Sequence, residues 1–259
     1  MTIDLSGKVA LVTGAGTGIG RGTALVLARY GARVVVAGRR IELVEDTARL
    51  VNHAGGEALA VRADVSVEDE VRSMVDTTVA HFGGLDIACN NAGTLGPLKP
   101  IIDLSAADFD LTMGTNLRGA FLCLKYELAV MAERGGGSIV NITSVNSVLP
   151  DPTASLYCAS KVGIDMLTRV AALEHAAQGI RVNAVRPGYV LTPMHEAALE
   201  SAGGPTPENV AAVEQSVPMR RRAEPEEIGE AVAWLSSADS RYVTGETLTV
   251  DGGFSLAPS

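Results

Sequence analysis

Short runs of β-branched and aliphatic residues alternate along this chain with longer stretches in which apolar positions recur every three to four residues. The first pattern suits strands and the second amphipathic helices, so the chain reads β-α-β-α from end to end. Strands are predicted at Val9–Thr13, Arg33–Ala37, Ala58–Arg62, Asp86–Asn90, Ser138–Thr143, Arg181–Arg186 and Thr247–Asp251. Helices fall between them: Gly31 stops Gly18–Tyr30, Gly55 stops Ile41–Ala54, and Ser66 with Asp69 starts Val67–Phe82. Helical patterns also cover Ser155–Gln178 and Pro225–Leu235. Without a linker-like shift in composition or an internal repeat, right-handed crossovers predict a single α/β domain over residues 1–259. It is a doubly wound parallel sheet of about seven strands with helices on both faces. One stretch stands apart, Thr192 to Met219, which holds Gly203, Gly204, Pro205 and Pro207 and only a weak helical pattern over Pro193–Ala202. Such an insertion after a strand suits an active-site lid over 192–219; the alternative is a mobile surface excursion.

Composition narrows the class. With 259 residues, 47% of them apolar and 20% charged, the chain is long enough to bury about three quarters of its unfolded surface. Aromatics are 4%, which leaves the core to Val, Leu, Ile and Ala, as helices on a parallel sheet require. A net charge of -9 argues against nucleic acid or an anionic membrane as partner, so any bound phosphate must be held locally. The start lacks a basic segment followed by a long apolar one, and no later run approaches a membrane span, which predicts a soluble chain. Three widely spaced cysteines, Cys89, Cys123 and Cys158, suggest neither a disulfide framework nor a thiolate metal site and fit a reducing cytoplasm. His195-Glu196 is followed by Leu199 where a zinc motif needs a second histidine, and His53, His81 and His175 are isolated, so no metal is expected. Arg220-Arg221-Arg222 reads as a solvated run before a helix, with a dock for an acidic carrier protein as the other reading.

Candidate chemistry begins where strand Val9–Thr13 runs into Gly14-Ala15-Gly16-Thr17-Gly18-Ile19-Gly20 and then a helix. A tight strand-to-helix turn needs residues free to take positive φ, and a pyrophosphate needs close approach to N–H groups at a helix N-terminus. The spacing is G-x-x-x-G-x-G, neither G-x-G-x-x-G nor a P-loop. Where an acid would hold a ribose 2′-OH, the second strand ends in Gly38-Arg39-Arg40. Arg39, with Arg40, suits a 2′-phosphate, which favours NADP(H). The alternative is that Arg39 only caps the strand or stacks on adenine, and NAD(H) then stays open.

Tyr157 and Lys161 are i and i+4 on one predicted helix face. A neighbouring ammonium favours the phenolate, and a three-unit depression of the tyrosine would represent about 4 kcal/mol. Ser144 lies just past the strand Ser138–Thr143, where a hydroxyl can hold a substrate oxygen beside the phenol. Gly14, Gly38, Asp64, Asn90, Ser144 and Pro187 all fall at the carboxyl ends of predicted strands, where doubly wound sheets bind ligands.

Over essentially its whole length the sequence closely resembles the classical short-chain dehydrogenases/reductases. The matching elements are Thr13-Gly14-x-x-x-Gly18-x-Gly20, Asp64-Val65, Asn90-Asn91-Ala92-Gly93, Asn116, Ser144, Tyr157-x-x-x-Lys161, Pro187-Gly188 with Thr192, and Asp251-Gly252-Gly253. The resemblance implies a Rossmann-like fold and reversible hydride transfer between a nicotinamide and a carbonyl/alcohol pair. It assigns Tyr157 as acid/base, Lys161 to the nicotinamide ribose and the tyrosine, Ser144 to the substrate oxygen, and Asn116 to a helix kink that supports a proton relay. It places Asp64 and Val65 near adenine and Asn90, with Ala92 and Gly93, at the cofactor cleft. Pro187, Gly188, Val190, Thr192 and Met194 come beside the nicotinamide and phosphates. A homotetramer is implied as well, with Ala171, Ala172 and Leu173 offering a close-packing surface.

Residues that follow the motifs, Thr94, Leu95, Val145, Asn146, Leu149, Tyr189 and Met194, would line a mostly apolar substrate pocket with Ser144 and Tyr157. That lining suits a small or medium hydrophobic or cyclic ketone or secondary alcohol. A 3-oxoacyl-carrier-protein reductase shares every motif and is the runner-up; a non-catalytic cofactor-binding sensor or scaffold is the alternative of another class.

Overall fold

In the computed structural model, which describes residues 3–201 and 203–257, regular structure begins with β1 (Val9–Thr13), buried at every position. A strand of consecutive apolar residues has no face to offer water, so it takes a central place with helices on both sides. Six strands follow: β2 (Arg33–Gly38), β3 (Glu57–Arg62), β4 (Ile87–Asn90), β5 (Gly137–Ile142), β6 (Ile180–Pro187) and β7 (Thr247–Val250). All are parallel, in the order β3-β2-β1-β4-β5-β6-β7, with Val9 opposite Arg33 and Ala10 opposite Ile87. The order reverses between β1 and β4, which opens a crevice at the carboxyl ends of the strands.

The helices are α1 (Gly18–Arg29), α2 (Ile41–His53), α3 (Glu68–Phe82), α4 (Ala106–Met113), α5 (Gly119–Arg134), α6 (Ser155–His175), α7 (Pro193–Ser201), α8 (Pro207–Ser216) and α9 (Pro225–Ser236). Successive strand residues point to opposite faces, so two cores form. On one face α1, α2 and α9 bury Leu27, Val44 and Val232 with Val12, Val34 and Val140. On the other, α3, α5 and α6 bury Met74, Leu128 and Ala172 with Leu11, Val35 and Ile139. Among the described residues no helix is long and apolar enough to cross a membrane.

Several local expectations change. Ser66 does not cap α3: its amide and hydroxyl donate to Asp64 Oδ1 at 2.9 and 2.7 Å, and the helix begins at Glu68. The segment over 192–219 holds two helices where one weak pattern was visible. α8 is begun by Thr206, whose hydroxyl accepts from the Asn209 amide at 3.2 Å, with Pro207 at the first position. Ala202, the last residue of the expected helix Pro193–Ala202, lies outside the described residues. Nor is the arginine run simply solvated. Arg222, its side chain 10% exposed, reaches Glu196 Oε1 of α7 at 2.8 Å and Glu214 Oε1 of α8 at 3.4 Å, while Arg221 pairs with Glu227 at 2.6 Å.

Candidate active site

A cavity of about 1280 Å³ follows the crevice. One end is walled by Gly14, Gly16, Thr17, Gly18 and Ile19 between β1 and α1. Gly14 has φ +64°, and a Cβ there would stand 2.8 Å from the Ala92 Cα, so this turn and the strand-end segment Asn91-Ala92-Gly93 touch backbone to backbone. Thr17, the N-cap of α1, makes no side-chain hydrogen bond, and the first turn holds no acidic residue. The N–H groups and positive end of α1 are thereby left to an anion.

Further along, Gly38, Arg39, Arg40, Ala63, Asp64 and Val65 form the wall. Arg39 is 58% exposed and its Nη1 lies 3.9 Å from Asp64 Oδ2. Burial works against charge on Asp64, but hydrogen bonds from the Ser66 hydroxyl and amide, with the charge of Arg39, outweigh it and hold the carboxyl below its usual range. Bare amides at a helix start, followed by a flexible guanidinium and a carboxylate, are a donor set that fits the pyrophosphate and adenosine half of a dinucleotide.

Ser144, Tyr157 and Lys161 meet at the other end. Ser144 starts the turn Val145–Ser147 beyond β5; its hydroxyl accepts from the Asn146 amide at 3.1 Å and donates to Asn146 Oδ1 at 3.2 Å. Tyr157 and Lys161 lie on α6, with Lys161 Nζ 5.5 Å from the centre of the Tyr157 ring. Lys161 is 4% exposed and Nζ donates to the Ile142 carbonyl at 2.9 Å. Burial lowers its pKa to about 8, against the pull of Asp165. The expected depression of the tyrosine is not found: burial pushes the phenol up, and the Ser144 hydroxyl opposes this only in part. The ammonium is engaged with a carbonyl of β5 instead of the phenol oxygen, so desolvation wins.

Asn116 sits behind the cavity wall. A π turn over Gly114–Arg118 separates α4 from α5 and turns this fully buried carboxamide toward the β4 loop. Its Oδ1 accepts from the Thr94 amide at 2.8 Å, while Nδ2 donates to the Thr94 carbonyl at 2.8 Å and to Ser160 Oγ at 3.0 Å. The carboxamide therefore pins the Thr94 wall to α6.

Two expected cofactor residues lie elsewhere. The Asn90 side chain is buried under the sheet and donates to Glu127 Oε2 at 2.9 Å and Asn141 Oδ1 at 3.0 Å, because strand alternation turns it away from the cleft. Gly20 is a packing glycine, where a Cβ would come within 2.5 Å of Asn91 Nδ2 and of the Gly14 carbonyl. Pro187, Gly188, Val190, Thr192 and Met194 do line the cavity, as do Thr94, Leu95, Val145, Asn146, Leu149 and Tyr189.

Sequence reasoning missed Asn91, His195 and Phe254, all of which line the cavity. Asn91 Nδ2 donates to the carbonyls of Thr13 and Gly14 at 3.0 and 3.2 Å and steadies the glycine turn; its signal was the doubled Asn90-Asn91. Tyr189 meets His195 at a tilt and Phe254 edge to face, at 5.1 and 4.9 Å between ring centres. Burial, then the charge of Arg222, lowers the His195 pKa, with Glu196 opposing, and its Nε2 has no hydrogen-bond partner. An imidazole that is neutral near pH 7 fits this largely apolar wall.

The geometry can be set beside known proteins. The family described as Enoyl-(Acyl carrier protein) reductase matches residues 14–255. The chain is 46% identical over 255 residues to "Short chain dehydrogenase/reductase astE" of Aspergillus oryzae, covering 98% of this chain and 97% of that one. It is 42% identical over 247 residues to the cis-4-hydroxycyclohexanecarboxylate dehydrogenase of Sinomonas cyclohexanicum, covering 95% and 96%. Among solved structures it resembles a gluconate 5-dehydrogenase from Burkholderia cenocepacia in complex with NADP and tartrate, with TM-score 0.91, 34% identity, and coverage of 99% of this chain and 98% of that one.

Proposed function

This chain belongs to the classical short-chain dehydrogenase/reductase family, oxidoreductases that bind NAD(P), and on that premise we propose that it interconverts a ring-borne ketone and its secondary alcohol with NADP(H) preferred. The observation that carries this reading is one cavity with Ser144, Tyr157 and Lys161 at one end and the glycine turn with Arg39 at the other. When bound, the cofactor supplies or accepts the hydride at the carbonyl carbon. In reduction Ser144 holds the carbonyl oxygen and Tyr157 gives it a proton; in oxidation the phenolate takes the alcohol proton back. A phenol kept protonated by burial is already in the form that reduction needs. Lys161 would hold the nicotinamide ribose of a bound cofactor and keeps positive charge beside Tyr157, and Asn116 fixes the Thr94 wall against α6.

Support for a cyclic, largely apolar substrate comes from Leu95, Val145, Leu149, Tyr189, Met194 and Phe254 around the reacting end, and from the cyclohexane compound in the name of one relative. The test follows NADPH and NADH oxidation over a panel of cyclic, aryl and β-keto carbonyls, with acyl-carrier thioesters included. The family description reads Enoyl-(Acyl carrier protein) reductase, which puts acyl-carrier thioesters in the panel, and their preferred turnover would replace the cyclic ketone as substrate class.

Cofactor choice rests on the exposed Arg39 with Arg40 at the β2 end of the cavity. Charge-assisted hydrogen bonds to a 2′-phosphate contribute about 1.5–3 kcal/mol each. Arg39→Ala with Arg40→Ala is therefore expected to raise KM for NADPH about 10- to 100-fold and leave NADH kinetics nearly unchanged. Equal effects on both cofactors would refute the assignment.

In this proposal α7 acts as a lid, supported by Met194, His195, Ala198 and Ser201 lining the cavity, with α8 packed behind it. Arg222 joins α7 to α8 through Glu196 and Glu214. Its replacement by Met should raise KM for the carbonyl substrate roughly fivefold with kcat changed less, since a half-exposed pair contributes about 1 kcal/mol. Unchanged KM would mean that α7 does not cover the substrate. The same proposal takes the chain as a homotetramer, supported by exposed Phe121 on α5 and Val162, Met166, Val170 and Leu173 along α6; of the surface expected from the sequence only Leu173 is exposed, because Ala171 and Ala172 face the core under α6.

A further inference from the structure

Asp165 and Arg186 form a buried ion pair that the roles proposed above leave without a purpose. Asp165 follows Lys161 by one turn on the same face of α6 and is 9% exposed. Its Oδ2 accepts from Arg186 Nη2 of β6 at 2.8 Å and its Oδ1 from Thr247 Oγ1 of β7 at 3.2 Å. Arg186 also donates from Nε to Ser147 Oγ at 2.9 Å, in the turn begun by Ser144, and from Nη1 to Thr249 Oγ1 at 3.3 Å. Buried pairs of this kind commonly cost as much in desolvation as they return, so stability alone is a weak reason for one to stand here.

Its surroundings suggest another reason. Lys161 is almost fully buried, and the groups that face it from other elements are neutral: the Ile142 carbonyl of β5 and the Gly93 backbone beyond β4. On its own helix it meets the Tyr157 ring and the charge of Asp165. Asp165 in turn faces Arg186 from β6 and the Thr247 hydroxyl from β7. Lys161, Asp165 and Arg186 thus make a row of alternating charge from the cavity toward the β6–β7 edge.

We propose that Asp165 is a positioning residue for the reaction: its carboxylate, anchored by Arg186 and Thr247, keeps the Lys161 ammonium charged inside the site, and Arg186 sets the strength of that hold. The inference rests on the reading in which Lys161 and Tyr157 serve carbonyl reduction. Reduction needs the phenol and the ammonium together, so the first proton lost from this pair ends activity at high pH. Removing the negative charge eases that loss, and removing the positive charge behind it hinders the loss.

The test is the pH profile of kcat for NADPH-driven reduction in wild type, Asp165→Asn, Asp165→Glu, Arg186→Gln, the double variant Asp165→Asn/Arg186→Gln, and Tyr157→Phe. Asp165→Asn should move the alkaline limb down by about one pH unit, Arg186→Gln should move it up, and Asp165→Glu should restore it. The double variant removes both buried charges together and should place the limb between those of the single variants, which keeps the test decisive if Asp165→Asn alone does not fold. Lower kcat at every pH with all limbs in place would show a structural pair only and overturn the proposal. If Tyr157→Phe lowers kcat about a thousandfold while the limbs of the other variants stay fixed, the role of Asp165 falls and the reductase reading stands; if Tyr157→Phe turns over at the wild-type rate, both fall.

Discussion

Tyr157→Phe is expected to lower kcat by about a thousandfold while NADPH binds as tightly as to the wild type. The substitution removes one oxygen and leaves the ring in place on α6, beside Lys161 Nζ and opposite Ser144. The glycine turn, Arg39 and the uncapped start of α1 lie at the other end of the cavity and are untouched. Ser144 can still hold a carbonyl oxygen, but no neighbouring group then delivers the proton as hydride arrives. Lys161 is unsuited to replace it, because Nζ points to the Ile142 carbonyl. Steady-state kcat with the preferred ketone and a fluorescence titration with NADPH separate the two effects. Turnover at the wild-type rate would remove Tyr157 from the mechanism. A wild type that binds NADPH tightly and reduces nothing in the panel would favour the sensor over the enzyme.

Glu127→Gln is expected to flatten the pH dependence of stability by about 3 kcal/mol between pH 5 and pH 8. Glu127 on α5 is fully buried against the sheet, where Oε2 accepts from Asn90 Nδ2 at 2.9 Å and Oε1 has no partner. Burial pushes its pKa from 4.5 to about 7, with the Asn90 hydrogen bond opposing. An acid whose folded pKa is raised is favoured in its protonated form by folding. Between pH 4.5 and 7 the folded chain therefore binds more protons than the unfolded one, and stability falls as pH rises through that window. Below it the cost is absent, and above it the cost is complete. Glutamine keeps the shape and the acceptor but cannot ionise, so the two chains should differ little at pH 5 and most at pH 8. Urea unfolding of both at equal concentration measures this. An unchanged difference across the range would mean that the carboxyl keeps its ordinary acidity inside the fold.

Neighbouring positions show how far the sequence could be read. Tyr157 and Lys161 were legible as partners because helical spacing alone puts i and i+4 on one face, whatever packs there. The strand-end positions of Gly14, Gly38, Asp64, Ser144 and Pro187 were legible for a similar reason, since a parallel sheet collects its carboxyl ends in one crevice. Asn90 and Asn91 could not be told apart in this way. One faces Glu127 under the sheet and the other the glycine turn, and that choice depends on where β4 ends and which way its last side chain points. Arg222 looked solvated because its partners, Glu196 and Glu214, come from two helices folded back over it. Phe254 joins the cavity wall from beyond β7, far in sequence from the Tyr189 it touches.

From the sequence alone came the parallel α/β architecture, the glycine turn between β1 and α1, the arginines after β2 and the Ser144, Tyr157 and Lys161 set, since each rests on local periodicity or on conformations that only certain residues adopt. Only the tertiary structure decided which way burial shifts Tyr157 and Lys161, the ion pair behind them and the carboxyl buried at Glu127. These depend on how much water each group loses and which charges remain near it, and burial and distance are properties of the packed chain.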